Sequence, residues 1–296
     1  MAGGAAREPR LNAVATDVRT LLDEGAAHLR RVAGDDARRE SEVLLAHALG
    51  RNRAWLTAHA EETVLDCEAT DRYEAHLVRR AHGVPVAYLL GRQEFWSLAL
   101  EVGPSVLVPR PDTELLVERA LAHLPADRDT TLLDLATGSG AIALAVASER
   151  PRCAVTATDL STEALAIAAS NARRLGFDKV ECLAGDWYAP VTGRRYDVIA
   201  SNPPYIALDD ERVEPGVRNH EPHLALYSGR TGLEALERVV AGAPMHLRAG
   251  GWLVVEHGDR QGEPVRALFG AAGLESIATH RDLGGRERCT EGRRPA

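Results

Sequence analysis

The apolar residues in the first part of the chain recur with a helical period. Over residues 11–82 they return every three to four positions, which is typical of amphipathic helices. In the stretch DDARRESEVLLAHALG, Asp35 or Asp36 is suited to cap the start of a helix, and Gly50 is suited to a left-handed end. A second helix is predicted over residues 67–81. This pattern indicates a small helical domain.

The pattern changes over residues 84–103. The stretches VAYLL and FWSLALEV flank Gly91 and are predicted to pair as a β-hairpin. Pro109 and Pro111 then favour extended backbone in their neighbours, which is typical of a domain boundary.

Beyond residue 113 short apolar strands alternate with helical stretches. Strands are predicted at residues 131–135, 153–158, 180–183, 196–201, 251–256 and 274–279. Helices are predicted at residues 113–123, 140–149, 162–174, 231–247 and 261–272. This order favours a parallel sheet with helical crossovers. The last segment, RERCTEGR, is predicted to be an edge strand.

Four parts of the chain follow from these patterns. We predict a disordered tail over residues 1–10, a helical domain over residues 11–83, a hairpin linker over residues 84–110, and an α/β domain over residues 111–296. The helical domain carries no cluster of chemically reactive side chains, so we expect it to recognise a partner.

Composition narrows the class of protein. The chain has 296 residues, of which 45% are hydrophobic and 26% charged, as in soluble globular proteins. The net charge of −8 disfavours direct binding of nucleic acid. No run of 18 apolar residues predicts a membrane span. The four cysteines are far apart and form no metal-binding pattern, so we expect reduced thiols, a cytoplasmic location and no metal site.

The first strand of the α/β domain leads into DLATGSGAIALAVA, a candidate ligand-binding turn. Gly138 and Gly140 permit a tight turn and a close approach of a ligand to the backbone at a helix start. Asp159 ends the next strand, about 20 residues further on, where a carboxylate can accept hydrogen bonds from ribose hydroxyls. Proteins that bind nicotinamide cofactors and proteins that bind S-adenosylmethionine share this pattern.

A third strand is followed by AGDWYAP. Asp186 can accept a hydrogen bond from an adenine amino group, and Trp187 or Tyr188 can pack against the adenine ring. The alternative is a helix cap beside a core aromatic residue.

The fourth strand ends in SNPPYI, which suits the binding of a planar NH2 group. The side-chain carbonyl of Asn202 and the backbone carbonyl of Pro203 can accept its two hydrogens. This pairing draws the nitrogen lone pair out of conjugation and aims it. Pro203 and Pro204 stiffen the segment, and Tyr205 can lie against the planar group. A proline pair that only ends a strand is the alternative.

Taken together, these segments resemble the PrmC/HemK family of protein-(glutamine N5) methyltransferases. The resemblance rests on DLATGSGAIALAVASERP, TDLSTEALAIAASNA, GDWYAP, SNPPYI, EPHLAL and LVVEHGDRQGEPVRALF, and it extends upstream through RRESEVLLAHALGR and GVPVAYLLGRQEFWSLALEVGPSVLVPRPDTELLVE. It covers the chain from about residue 36 to residue 290.

The resemblance implies a fold, a cofactor and a substrate. The fold is that of class I S-adenosylmethionine-dependent methyltransferases: α/β and Rossmann-like, with a mostly parallel seven-stranded sheet, an N-terminal helical domain and a hairpin linker. S-adenosylmethionine is the implied methyl donor, and S-adenosylhomocysteine is the product. The implied substrate is the glutamine of the Gly-Gly-Gln motif in class 1 peptide chain release factors.

The resemblance also assigns site residues. The donor is expected on Ala136, Thr137, Gly138, Ser139, Gly140, Asp159, Asp186 and Trp187, with Asn202 beside it. The segment Asn202–Tyr205 is expected to hold the glutamine amide, with Asn202, Pro203 and Tyr205 as its catalytic residues. The family usually has glycine where Ala136 stands, and a positive φ there would make the alanine costly.

Other functions remain open at this point. They are methylation of a ribosomal-protein glutamine, methylation of a nucleic-acid amino group, donor binding without catalysis, and a nicotinamide oxidoreductase. Arg110 and Glu114 are candidates for contact with the amino-acid end of the donor, and Glu256 is a candidate to orient Asn202 or its loop.

Overall fold

The computed structural model describes residues 16–296 and contains two compact units, which meet in the chain between Leu90 and Gly91. The tail predicted over residues 1–10, and the first residues of the predicted helical domain, lie outside the described residues.

The N-terminal unit is mainly helical. Its elements are β1 (Thr16–Asp17), α1 (Val18–Ala33), α2 (Ala37–Ala48), α3 (Arg53–Ala58), β2 (Thr63–Val64), α4 (Cys67–Ala81) and α5 (Val86–Leu90). Asp17 caps α1 by accepting from the Thr20 N–H at 2.7 Å. Asp36 precedes α2 but makes no capping hydrogen bond with its side chain in the described structure, which corrects that expectation.

Tyr73 of α4 lies at the centre of this unit. The side chain is 1% exposed, and its hydroxyl donates to the Leu21 carbonyl at 3.1 Å. The same hydroxyl lies 2.6 Å from Ser41 Oγ. Gly25 of α1 makes room for it, because a Cβ at Gly25 would come within 1.9 Å of the Tyr73 oxygen. The polar end of a buried aromatic residue therefore fixes the packing of three helices.

The predicted hairpin exists, but its strands differ from those predicted. The residues VAYLL form the helix α5, and the hairpin consists of β3 (Arg92–Phe95) and β4 (Leu98–Glu101). Trp96 and Ser97 make the turn with φ of 51° and 59°. The helix forms because the Pro85 carbonyl accepts from the Tyr88 and Leu89 N–H groups. A short apolar run is ambiguous between helix and strand without such information.

The C-terminal unit is built on a seven-stranded sheet within the described residues, which confirms the predicted α/β fold. Its helices are α6 (Glu114–Ala122), α7 (Ala141–Glu149), α8 (Thr162–Arg174), α9 (Pro215–His220), α10 (His223–Leu226), α11 (Glu234–His246) and α12 (Gly262–Ala271). Its strands are β5 (Thr130–Leu135), β6 (Cys153–Asp159), β7 (Glu181–Ala184), β8 (Tyr196–Ser201), β9 (Leu247–Glu256), β10 (Glu275–Arg281) and β11 (Glu287–Arg293).

The spatial order of the sheet is β10-β11-β9-β8-β5-β6-β7. Strands β9, β8, β5, β6 and β7 run parallel, and β11 is antiparallel to both of its neighbours. One hydrophobic core includes residues of α6 and α7, and a second includes residues of α11 and α12. The central strands are therefore largely buried, as expected for a sheet covered on both faces.

The last strand corrects a prediction. The segment RERCTEGR is not at the edge, because β11 lies between β10 and β9. Its Glu291 is buried and pairs with Arg119 at 2.9 Å and with His123 at 3.0 Å. These partners allow a charged sequence to occupy the interior of a sheet.

Candidate functional site

A cavity of about 520 Å³ opens at the carboxyl ends of four parallel strands. The first residues after β5, β6, β7 and β8 meet there, because parallel strands end at the same edge of a sheet. Ala136, Asp159, Asp186 and Asn202 each line the cavity from a different strand. A volume of this size is typical of sites for small molecules.

The turn after β5 follows the predicted path. Thr137, Gly138 and Ser139 line the cavity beside Ala136, whereas Gly140 is not among the described lining residues. Gly140 begins α7 with φ of 85°, and a Cβ there would lie 3.3 Å from that of Ala168. Glycine at this position is therefore required by the backbone and by the packing against α8.

Ala136 has a φ of 57°, which is the left-handed region that favours glycine. The positive φ that would make this alanine costly is therefore present, and the residue is expected to carry a strain of roughly 1–2 kcal/mol. Ala136 is also one of the residues that line the cavity.

Asp134, near the end of β5, fixes this turn by hydrogen bonds, a role that the sequence did not predict. The side chain is fully buried, and its Oδ2 accepts from Thr137 Oγ1 at 2.6 Å and from the Ala143 N–H at 3.1 Å. Burial raises the pKa of Asp134 to about 7, against the effect of these hydrogen bonds. The signal in the sequence was a single carboxylate inside the apolar strand TLLDL.

Asp159 joins the turn to the end of β6. Its Oδ2 accepts from the Gly138 N–H at 2.9 Å, and its Oδ1 accepts from the Ser161 N–H at 2.9 Å. Burial raises the pKa of Asp159, and these backbone hydrogen bonds oppose that change. Each carboxylate oxygen has a further lone pair to offer. Two acceptors held in fixed positions at the cavity wall suit a pair of adjacent hydroxyls.

Asp186 and Trp187 follow β7 and both line the cavity. The Asp186 carboxylate lies 3.7 Å from Arg238. Tyr188, the other candidate aromatic residue, is a core residue: its hydroxyl donates to the Val239 carbonyl at 2.7 Å, and its ring stacks on His246. Trp187 is therefore the aromatic side chain of this pair at the cavity.

The segment that follows β8 is only partly at the cavity. Asn202 and Pro204 line it, whereas Pro203 and Tyr205 do not belong to the described lining residues. Asn202 Nδ2 donates to Thr113 Oγ1 at 3.2 Å, so the amide NH2 is engaged and the side-chain carbonyl remains an acceptor. The Tyr205 hydroxyl donates to Glu256 Oε1 at 3.1 Å, and burial raises the pKa of the phenol.

The two candidates near the linker, Arg110 and Glu114, have different outcomes. Arg110 lines the cavity and pairs with Glu221, which is buried and also accepts from the Val108 N–H at 3.1 Å. Glu114 lies outside the described lining of the cavity and accepts from the Trp96 N–H at 3.1 Å. Glu221 thus ties the linker to the loop before α10 and holds Arg110.

The described residues contain no group of His, Cys, Asp or Glu side chains arranged to hold a metal ion. In residues 16–296 no helix is both long and apolar enough to cross a membrane.

Comparison with known proteins shows which family this chain resembles in sequence. A family model described as "PrmC N-terminal domain" matches residues 20–91, and one described as "Methyltransferase small domain" matches residues 111–215. The chain is 50% identical over 256 residues to the release factor glutamine methyltransferase of Xylella fastidiosa strain Temecula1, covering 86% of this chain and 93% of that protein. The enzyme of the same name from Pseudomonas aeruginosa is also 50% identical over 256 residues, covering 86% of this chain and 92% of that protein.

The fold has solved relatives as well. The crystal structure of a methyltransferase from Pyrococcus furiosus aligns with a TM-score of 0.53 and 19% sequence identity, covering 75% of this chain and 98% of that one. At this identity the likeness concerns the fold alone.

Proposed function

The chain belongs to the release factor glutamine methyltransferase family, and from that premise we propose that it methylates the N5 amide nitrogen of the glutamine in the Gly-Gly-Gln motif of class 1 peptide chain release factors. S-adenosylmethionine is the proposed donor and S-adenosylhomocysteine the product. The observation that carries the proposal is Asn202, which lines the same cavity as the turn after β5 and has its NH2 group already bonded to Thr113.

The residues around the cavity suit this donor. The carboxylate of Asp159 is proposed to accept from the ribose hydroxyls, and Asp186 from the adenine amino group, with Trp187 against the adenine ring. The turn after β5 lines the same cavity through Ala136–Ser139, where glycine at position 138 permits close approach of the donor. The donor supplies a methyl group on a positively charged sulfur, and the partly enclosed cavity favours its transfer because charge is neutralised on the way.

Catalysis is proposed to rest on hydrogen bonding and orientation. A glutamine amide nitrogen is a poor nucleophile because its lone pair is delocalised. The carbonyl of the Asn202 side chain and the backbone carbonyl of Pro203 are proposed to accept the two amide hydrogens, which aims the lone pair. The nitrogen becomes acidic after transfer, so its proton can leave without a strong base at the site.

Glu256 does not serve as that base in this proposal. Its side chain is 2% exposed, and Tyr205 donates to it. A general base must come within hydrogen-bond reach of the proton that it removes.

The partner and the location follow as proposals. The N-terminal unit is proposed to recognise the release factor, and the cytoplasm is the proposed location because release factors act there. The net charge of −8 supports a protein substrate over direct binding of RNA or DNA.

One assay tests the proposal. Labelled S-adenosylmethionine is incubated with the enzyme and, side by side, with purified release factors, ribosomal proteins and RNA, and the modified residue is mapped by mass spectrometry. We expect label on the glutamine of Gly-Gly-Gln in a release factor. Label on a ribosomal protein or on RNA, with the release factors unlabelled, would overturn the substrate assignment.

A further inference from the structure

Thr113 connects the segment Asn202–Tyr205 to the start of α6. It is 4% exposed, lines the cavity, and accepts from Asn202 Nδ2 at 3.2 Å. A threonine hydroxyl carries a single proton. Because Thr113 accepts from Asn202, that proton is available for a different acceptor, and a buried hydroxyl without one would be costly.

Glu256, the last residue of β9, offers an acceptor for that proton. Its Oε2 is buried and has no hydrogen-bond partner in the described structure. Burial raises the pKa of the Glu256 carboxyl group to about 7, while hydrogen bonding from the Thr113 and Tyr205 side chains and the charge of Arg288 lower it. The nearby carboxylate of Asp112 raises it. Tyr205 therefore donates to one oxygen of this carboxyl group at 3.1 Å, which leaves Oε2 as a buried acceptor for the remaining proton of Thr113.

We propose that Glu256 is a positioning residue, which acts through Thr113 to orient the Asn202 side chain so that its carbonyl faces the bound amide. Above about pH 7 the Glu256 carboxyl group is mostly ionised, and an ionised carboxylate only accepts hydrogen bonds. It therefore makes Thr113 a donor towards β9, and Thr113 can then only accept from Asn202. The Asn202 NH2 group is drawn towards Thr113, and its carbonyl oxygen is left for the substrate.

The opposite orientation of Asn202 would be unproductive. Its NH2 group would then face the NH2 group of the glutamine, and two donors cannot bond to each other. The relay Glu256–Thr113–Asn202 thus selects between two amide rotamers that have nearly the same shape. Because Glu256 also accepts from Tyr205 at 3.1 Å, one carboxyl group holds both ends of the segment.

This inference rests on the proposed function, since the orientation of Asn202 matters only for a bound NH2 group. A purely structural role makes a different prediction. If Thr113 and Glu256 only fill the core, their replacement lowers the free energy of unfolding and leaves the turnover of the folded enzyme unchanged.

The test compares Thr113→Val with Thr113→Ser in the full chain. Valine keeps the shape and removes the hydroxyl, whereas serine keeps the hydroxyl. We measure kcat with a release factor, the dissociation constant of S-adenosylhomocysteine, and the thermal unfolding midpoint. We expect T113V to lower kcat by about 10-fold to 100-fold with product affinity within about 2-fold of wild type, and T113S to retain most of the rate.

Glu256→Gln and the double variant E256Q/T113V complete the cycle. Glutamine offers both a donor and an acceptor, so it no longer dictates the direction of the relay, and we expect kcat to fall about 10-fold. Because both residues act through one chain of hydrogen bonds, their effects should not multiply. The kcat of the double variant should therefore lie within about 2-fold of the kcat of the slower single variant. If E256Q does not fold, the comparison of T113V with T113S tests the proposal without it.

Three results would overturn the inference. They are a wild-type kcat in T113V, a T113S variant as slow as T113V, and losses that multiply in the double variant. The proposed function is judged separately by the wild-type enzyme. If wild type leaves the Gly-Gly-Gln glutamine unmodified, the function fails before any variant is compared.

Discussion

Replacing Ala136 with glycine is expected to stabilise the protein, because Ala136 has a φ of 57° in the turn after β5. In this region the Cβ atom comes too close to the following carbonyl oxygen. Glycine has no Cβ and adopts such a conformation without strain. The substitution therefore removes a cost from the folded state at a residue that also lines the cavity.

The magnitude follows from two opposing contributions. The strain removed is roughly 1–2 kcal/mol. Glycine also gives the unfolded chain more freedom, which lowers stability by about 0.4–1 kcal/mol. These ranges leave a net gain centred on about 0.8 kcal/mol, so the free energy of unfolding should rise by about that amount, which corresponds to a Tm about 1 °C higher for a chain of this length.

Denaturant unfolding of wild type and A136G measures this difference, and calorimetry gives the dissociation constant of S-adenosylmethionine. Ala145→Gly is the control, because Ala145 lies inside α7 and should lose at least about 1 kcal/mol on the same change. We expect A136G to bind the donor no more weakly than wild type. An A136G variant less stable than wild type would refute the argument from backbone strain.

Three further changes test other parts of the structure. Gly25→Ala should lower the free energy of unfolding by about 1–3 kcal/mol in urea titrations, because the new methyl group would lie 1.9 Å from the Tyr73 oxygen. Gly270→Ala is the matched control and should not destabilise the protein, because a Cβ at Gly270 meets no atom within 4 Å. Burial raises the pKa of Glu291, but hydrogen bonds from His123 and Arg119 outweigh it and lower the pKa to about 2, so the stability from this carboxylate is present above about pH 4.5 and is lost as the pH falls towards 2. The stability difference between wild type and Glu291→Gln should shrink over that range in acid titrations, and a constant difference would refute the assignment. Asp159→Asn should weaken donor binding by about 10-fold to 100-fold in calorimetry, because an amide offers one acceptor oxygen where the carboxylate offers two; unchanged affinity would remove Asp159 from the donor site.

The sheet was predictable because its central strands are covered on both faces. Such strands form continuous apolar runs, and β8 was predicted at the residues where it occurs, 196–201. The two errors have different causes. In VAYLL the carbonyl of Pro85, one residue before the run, accepts from Tyr88 and Leu89 and starts α5. In RERCTEGR the buried Glu291 is paired with Arg119 and His123, which are distant in the sequence.

The part of the cavity that could be predicted from the sequence is the set of residues at the ends of the parallel strands. Asp159, Asp186 and Asn202 each end or follow a strand, and parallel strands end together, so their meeting follows from the topology. The contacts that orient these side chains could not be predicted from the topology. Thr113 and Asn202 are 89 positions apart, and their hydrogen bond depends on how α6 packs beside β8. No periodicity in the sequence encodes that packing.

The central claim is that the carbonyl of Asn202 holds the substrate amide and not the donor. Its most direct test measures methyl transfer to a release factor and donor affinity together in Asn202→Ala. We predict that kcat falls by at least about 100-fold, while the dissociation constant of S-adenosylmethionine stays within about 3-fold of wild type. A variant in which transfer and donor affinity fall by the same factor would contradict the account.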